Sequence, residues 1–108
     1  MKALVLIADG RLEYQEAPEP RMQPDEVLIR VKSCAISEDD VAGLDARSGL
    51  RVPPLIMGHE ASGIVEQVGG QVRGWQPGDR VALESLVYSL EDRQVRAGLY
   101  HLCDDKKR

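Results

Sequence analysis

A mainly β domain with short helices is predicted by three features of the chain: apolar runs of period two, tight-turn dipeptides between them, and proline-stiffened connections. The 108 residues fit one domain, large enough to bury a core without requiring disulfides or a metal. Hydrophobic residues make up 43% of the chain but aromatic ones only 4%, so that core should be aliphatic. With 30% charged residues the composition is that of a soluble globular protein rather than a disordered one.

The first element is a β-hairpin. Lys2 to Ile7 is rich in branched apolar residues, Asp9-Gly10 supplies the turn, and Arg11 to Glu16 alternates Leu12 and Tyr14 with polar neighbours. Ala17-Pro18-Glu19-Pro20 is a stiff extended connection, because each proline fixes its own φ and biases the residue before it away from helix. Glu26 to Lys32 again has period two, with Val27, Ile29 and Val31 on one face, and predicts a half-buried strand. Ser37-Glu38-Asp39-Asp40 then suits the start of a short helix through Val41 to Leu44, with the three carboxylates expected to lie on a solvated first turn. Ser62 to Val68 is the next strand, ended by Gly69-Gly70. Trp75 to Arg80 forms a tight turn before a strand at Val81 to Leu83. Beyond Ser85 the pattern changes, and the charged stretch Leu90 to Ala97 suits a helical turn or loop stopped by Gly98. The chain shows no internal repeat and no low-complexity segment.

The formal net charge of -4 gives no electrostatic footprint for nucleic acid or an anionic membrane, and Lys106-Lys107-Arg108 is too short to change that. No apolar run approaches the roughly 20 residues that span a bilayer. Cys34 and Cys103 lie far apart, and no charged-then-apolar leader opens the chain, so neither a disulfide scaffold nor secretion is expected and a cytoplasmic location is.

Chemistry is most concentrated at Gly58-His59-Glu60, between the apolar run from Pro53 and the small-residue strand that follows. A neutral imidazole and a carboxylate are both good zinc ligands, and the glycine lets backbone come close to a bound ion. The same tripeptide also fits a turn whose histidine is simply hydrogen-bonded.

Five blocks, Met1 to Leu6, Asp25 to Val31, Gly58-His59-Glu60, Val65 to Gly69 and Pro77 to Ala82, stand in the order found in zinc-type medium-chain alcohol and polyol dehydrogenases. The chain resembles the amino-terminal, GroES-like part of such an enzyme across nearly its whole length. The resemblance implies a partly open β-barrel without the Rossmann domain. It also implies an oxidoreductase lineage in which zinc acts as Lewis acid while hydride passes to or from a nicotinamide ring.

The resemblance places the candidate catalytic residues at Ser37, Asp39, His59 and Glu60, with His59 and Glu60 as the metal positions. The family pattern Cys-Gly-Ile-Cys-Gly-Ser-Asp is matched here by Cys34-Ala35-Ile36-Ser37-Glu38-Asp39-Asp40, so Ser37 stands where a zinc thiolate is usual. A hydroxyl is a far poorer zinc ligand than a thiolate. Asp39 stands where a hydroxyl residue usually relays the substrate proton, and Asp40 matches an acidic family position. The structural-zinc pattern Cys-x2-Cys-x2-Cys-x7-Cys is matched by Ser89, Asp92, Val95 and Cys103, so residues 86–103 read as a remnant of that lobe. Only one of its four thiols is kept, whereas a closed zinc site needs four donors.

No Gly-x-Gly-x-x-Gly turn occurs, so no cofactor-binding residues are assigned within the 108 residues. The expected function is a truncated zinc-type dehydrogenase, inactive on its own. Zinc would sit at a weakened site, and NAD(P) would enter only with a cofactor domain supplied by another chain. An open sheet edge should invite such a chain or a second copy of this one. The alternatives are a non-catalytic GroES-like interaction module and an engineered metal-free scaffold. Substrate identity is not legible.

Overall fold

The computed structural model describes residues 1–44 and 51–103 and resolves the chain into two three-stranded antiparallel sheets. Strands β1 (Lys2–Ala8) and β2 (Arg11–Glu16) form the expected hairpin about Asp9-Gly10, with Leu4 opposite Tyr14 and Leu6 opposite Leu12. A third strand, β4 (Leu55–Ile56), adds to the other side of β1 in the order β2-β1-β4. Two residues are too few to display a period, which is why β4 left no trace in the pattern. Its pairing is extended by Met57 N–H donating to the Leu4 carbonyl at 2.9 Å.

The second sheet has the order β3-β5-β6, from β3 (Val27–Ala35), β5 (Glu60–Val68) and β6 (Arg80–Ala82). Gly63 lies opposite Val31, and a Cβ there would come within 2.5 Å of the Arg30 carbonyl oxygen, so a larger residue would push these strands apart. The half-buried alternation expected of β3 is not what the strand shows. Its register shifts between Leu28 and Ile29 and again between Val31 and Ser33, which breaks the period, and Val31 is 54% exposed. Two short helices complete the described elements: α1 (Glu38–Ala42), within the predicted span, and α2 (Arg93–Arg96), followed by a 3₁₀ turn at Tyr100–Leu102. No helix among the described residues is long and apolar enough to cross a membrane.

The two sheets do not close into a barrel. Ala3, Val5, Leu6, Met57 and Val65 are the buried apolar side chains of the two sheets, in keeping with the aliphatic composition. Between the sheets lies a largely apolar cleft of about 820 Å³, lined by Leu12, Tyr14 and Ile56 on one side and Leu28, Val31 and Ala61 on the other. Asp40, Val41 and Gly58 line it as well. The fold is therefore mainly β and partly open, and Asp40 brings a carboxylate to the wall of the cleft.

Core and cleft differ in what they contribute to stability. Leu6 is fully buried, so Leu6→Ala should lower unfolding free energy by about 2–5 kcal/mol. Val31→Ala, on the cleft wall, should change it by no more than about 0.5 kcal/mol. Urea unfolding of the two variants checks the contrast.

Candidate functional site

β3 ends at Ala35 and β5 begins at Glu60, and these two residues are register partners. The pairing sets His59, immediately before β5, beside the segment that leaves β3 and enters α1. Ser37 caps that helix: its Oγ accepts from Asp40 N–H at 3.3 Å, while Asp40 Oδ2 accepts from Ser37 N–H at 3.0 Å and from Ser37 Oγ at 3.2 Å. This reciprocal capping box satisfies free amide donors at the helix start and fixes the Asp40 side chain.

The other carboxylate oxygen faces two cationic or potentially cationic groups. Asp40 Oδ1 lies 3.1 Å from His59 Nδ1 and 3.3 Å from Arg51 Nη2, and Arg51 Nη2 lies 3.4 Å from His59 Nδ1. All three side chains are at most 10% exposed. Burial opposes the charge on Asp40, but the Ser37 amide, the hydrogen bond and charge of His59, and the Ser37 hydroxyl together outweigh it and hold the carboxyl below its ordinary range. An ionised carboxylate only accepts hydrogen bonds, so a hydrogen bond to Asp40 places the proton on Nδ1 and, in the neutral ring, leaves the lone pair on Nε2.

Of the residues singled out from sequence, His59 is at the centre of this cluster. Ser37 is near it, but its hydroxyl is engaged as a helix cap. Asp39 and Glu60 are exposed, Asp39 on α1 and Glu60 at the first position of β5. The solvated helix start expected for the acidic run holds for Glu38 and Asp39 but not for Asp40, which is 5% exposed because it is turned inward onto Ser37, His59 and Arg51. Arg51 is the member that sequence reasoning missed. The available signal was a lone cation in the otherwise apolar stretch Leu50 to Leu55, which carries no motif.

A catalytic zinc ion needs three protein donors and a structural one four. Among the described residues no group of three or more histidine, cysteine, aspartate or glutamate side chains is arranged to hold a metal ion. The donors described here therefore do not make up a zinc site. At the 86–103 lobe, Asp92 caps α2 by accepting from Gln94 N–H at 2.7 Å and Val95 N–H at 3.3 Å, while Val95 and Cys103 are buried. Tyr88 and Tyr100 pack with ring centroids 5.5 Å apart. Cys34, by contrast, is exposed.

Residues 23–108 match the alcohol dehydrogenase GroES-like domain family. The chain belongs to that family. L-threonine 3-dehydrogenase of Anaeromyxobacter sp. (strain Fw109-5) is 43% identical to this GroES-like chain over 108 residues, covering 95% of it and 32% of the relative. Human sorbitol dehydrogenase is 39% identical over 103 residues, covering 93% and 29%. Among solved structures, alcohol dehydrogenase from Thermus sp. ATN1 superposes with a TM-score of 0.85 at 30% identity, covering 98% of this chain and 31% of that one. Galactitol-1-phosphate dehydrogenase from Escherichia coli gives a TM-score of 0.88 at 29% identity, covering 99% and 31%. The chain thus spans about a third of the length of the relatives it matches.

The lowered Asp40 value has a definite sign in stability. A carboxyl whose folded value lies below its unfolded value of about 3.9 binds fewer protons when folded, so its contribution is complete at neutral pH. That contribution is lost as pH falls through the unfolded and then the folded value. In denaturant unfolding, the stability difference between the native chain and Asp40→Asn should shrink as pH is lowered from about 6 to about 3.

Proposed function

We propose that this chain supplies the alcohol-side part of a nicotinamide-dependent alcohol or polyol dehydrogenase, and that hydride transfer requires a dinucleotide-binding portion outside these 108 residues. The observation that carries the reading is His59 held by Asp40, a residue that lines the apolar cleft, within a chain that matches the GroES-like family from residue 23 onward. Relatives named for L-threonine and sorbitol support a hydroxyl-bearing substrate class. The apolar cleft would exclude water around a substrate carbon, and His59, through its contact with Asp40 at the cleft wall, would hold or pass a proton.

Zinc at His59 and Glu60 would supply Lewis-acid polarisation of the substrate oxygen, but it would require donors beyond these two residues. Ser37 and Asp39 are read as standing at family ligand and relay positions, and the Ser37 hydroxyl is hydrogen-bonded to Asp40. The 86–103 lobe is read as holding itself by the Asp92 cap and by burial of Val95 and Cys103, in place of metal. The 108 residues alone should show no hydride transfer from sorbitol or L-threonine to NAD or NADP, followed as nicotinamide absorbance. Turnover by the purified chain would overturn the reading.

A second reading, a binding module, is favoured by the exposed apolar side chains Tyr14, Val31 and Ile36 at the cleft. The outer strands of both sheets, each paired on one side only among the described residues, offer hydrogen-bonding edges for a second copy of the chain. Sedimentation velocity should then show an average mass that rises with concentration. Monomeric behaviour across a hundredfold concentration range would rule this reading out.

A further inference from the structure

Arg51 has no part in the function proposed above, yet it is one of the most enclosed charges among the described residues, 7% exposed as a residue. Arginine is donor-only and always charged at physiological pH, and it is rarely buried unless paired. Its Nη2 reaches Asp40 Oδ1 at 3.3 Å and stands 3.4 Å from His59 Nδ1, with every member of the cluster shielded from bulk water. A second observation shows that the fold makes room for it. Gly43, the C-cap of α1, has an ordinary helical backbone at φ -74, so no conformational demand requires glycine. A Cβ there would instead meet Arg51 Cγ at 2.5 Å and Nε at 2.9 Å. The missing side chain is thus the passage by which the guanidinium reaches the carboxylate.

We infer that Arg51 is the resident counter-cation of the site: it neutralises Asp40 beside His59 and holds a fixed positive charge where it repels a divalent metal ion from the imidazole. This deepens the dehydrogenase reading and rests on it for the expectation that a zinc-type lineage would bring a metal to His59. The charge balance is closed without one. Asp40 is negative and Arg51 positive, so the buried ion pair is balanced without a metal. A zinc ion on Nε2 would face the guanidinium across the width of the imidazole ring. It would also find the Asp40 charge already spent on Arg51. The buried arginine and, among the described residues, the short donor set point the same way: this site is arranged as an ion cluster that excludes metal.

The test is zinc binding by the full 108-residue chain, with zinc chloride as the only added ligand and His59 ring resonances as the readout. Elemental analysis gives the stoichiometry. The native chain should bind zinc weakly and carry none stoichiometrically. Arg51→Met should bind zinc about tenfold more tightly, the order expected when a unit charge several Å from a divalent ion is removed in a partly solvated setting. Adding His59→Ala to Arg51→Met should abolish the gain. Should Arg51→Met fail to give a folded amide spectrum, Gly43→Ala decides, because it displaces the arginine stem while retaining the charge: a rise in affinity supports the inference and native affinity overturns it. The inference is equally overturned by one zinc per native chain that is lost in His59→Ala, or by native affinity in a folded Arg51→Met. None of these readings involves turnover, so their failure leaves the dehydrogenase reading standing.

Discussion

The carboxylate of Asp40 is the constraint around which the site is organised. One oxygen is held by the Ser37 amide and hydroxyl, the other by His59 and Arg51, so a single side chain ties the start of α1 to the residue before β5 and to the segment entering β4. Burying such charges costs several kcal/mol per ion, and the pairing repays this only when every donor is in place. The arrangement is therefore less a source of stability than a source of definition. Losing one partner would leave a buried uncompensated charge, at a cost of about 3–5 kcal/mol, and this confines the three side chains to one geometry.

The sheets supply the frame for that geometry while remaining only half packed. Register between Ala35 and Glu60 fixes where His59 stands, and the close approach at Gly63 keeps β3 and β5 in that register. Yet a largely apolar cleft lies between the sheets, with Val31 and Tyr14 largely exposed on its walls. A domain of this size ordinarily buries such side chains. The open cleft is the physical link between the two readings of function, since the same apolar walls suit a substrate carbon shielded from water and a docked chain.

The positions matched to the resembled zinc patterns take part in ordinary folding contacts. At the 86–103 lobe, Asp92 has become a helix cap and Val95 a buried apolar residue, so two positions of the resembled zinc pattern now do ordinary folding work. At Ser37 the hydroxyl serves the capping box. Each replacement satisfies backbone amides or buries apolar surface, which are local contributions of about 1 kcal/mol for a cap and somewhat more for a buried side chain.

The sequence by itself determined the β-rich class, the first hairpin and the cap at Ser37, and it singled out His59 as a candidate, because each is written in neighbouring residues: period, turn dipeptide, hydroxyl before an acidic run, and a Gly-His-Glu tripeptide. It misled at β3, where irregular register overrode a clean period, and at Asp40, where an acid in a run of acids gave no sign of facing inward. Only the tertiary structure decided that Asp40, Arg51 and His59 meet. They come from α1, the approach to β4 and the residue before β5, and their meeting depends on strand register and on the space left by Gly43. Charge pairing across such separations leaves no period in a sequence, because it is set by the distances between folded elements and not by the spacing of residues along the chain.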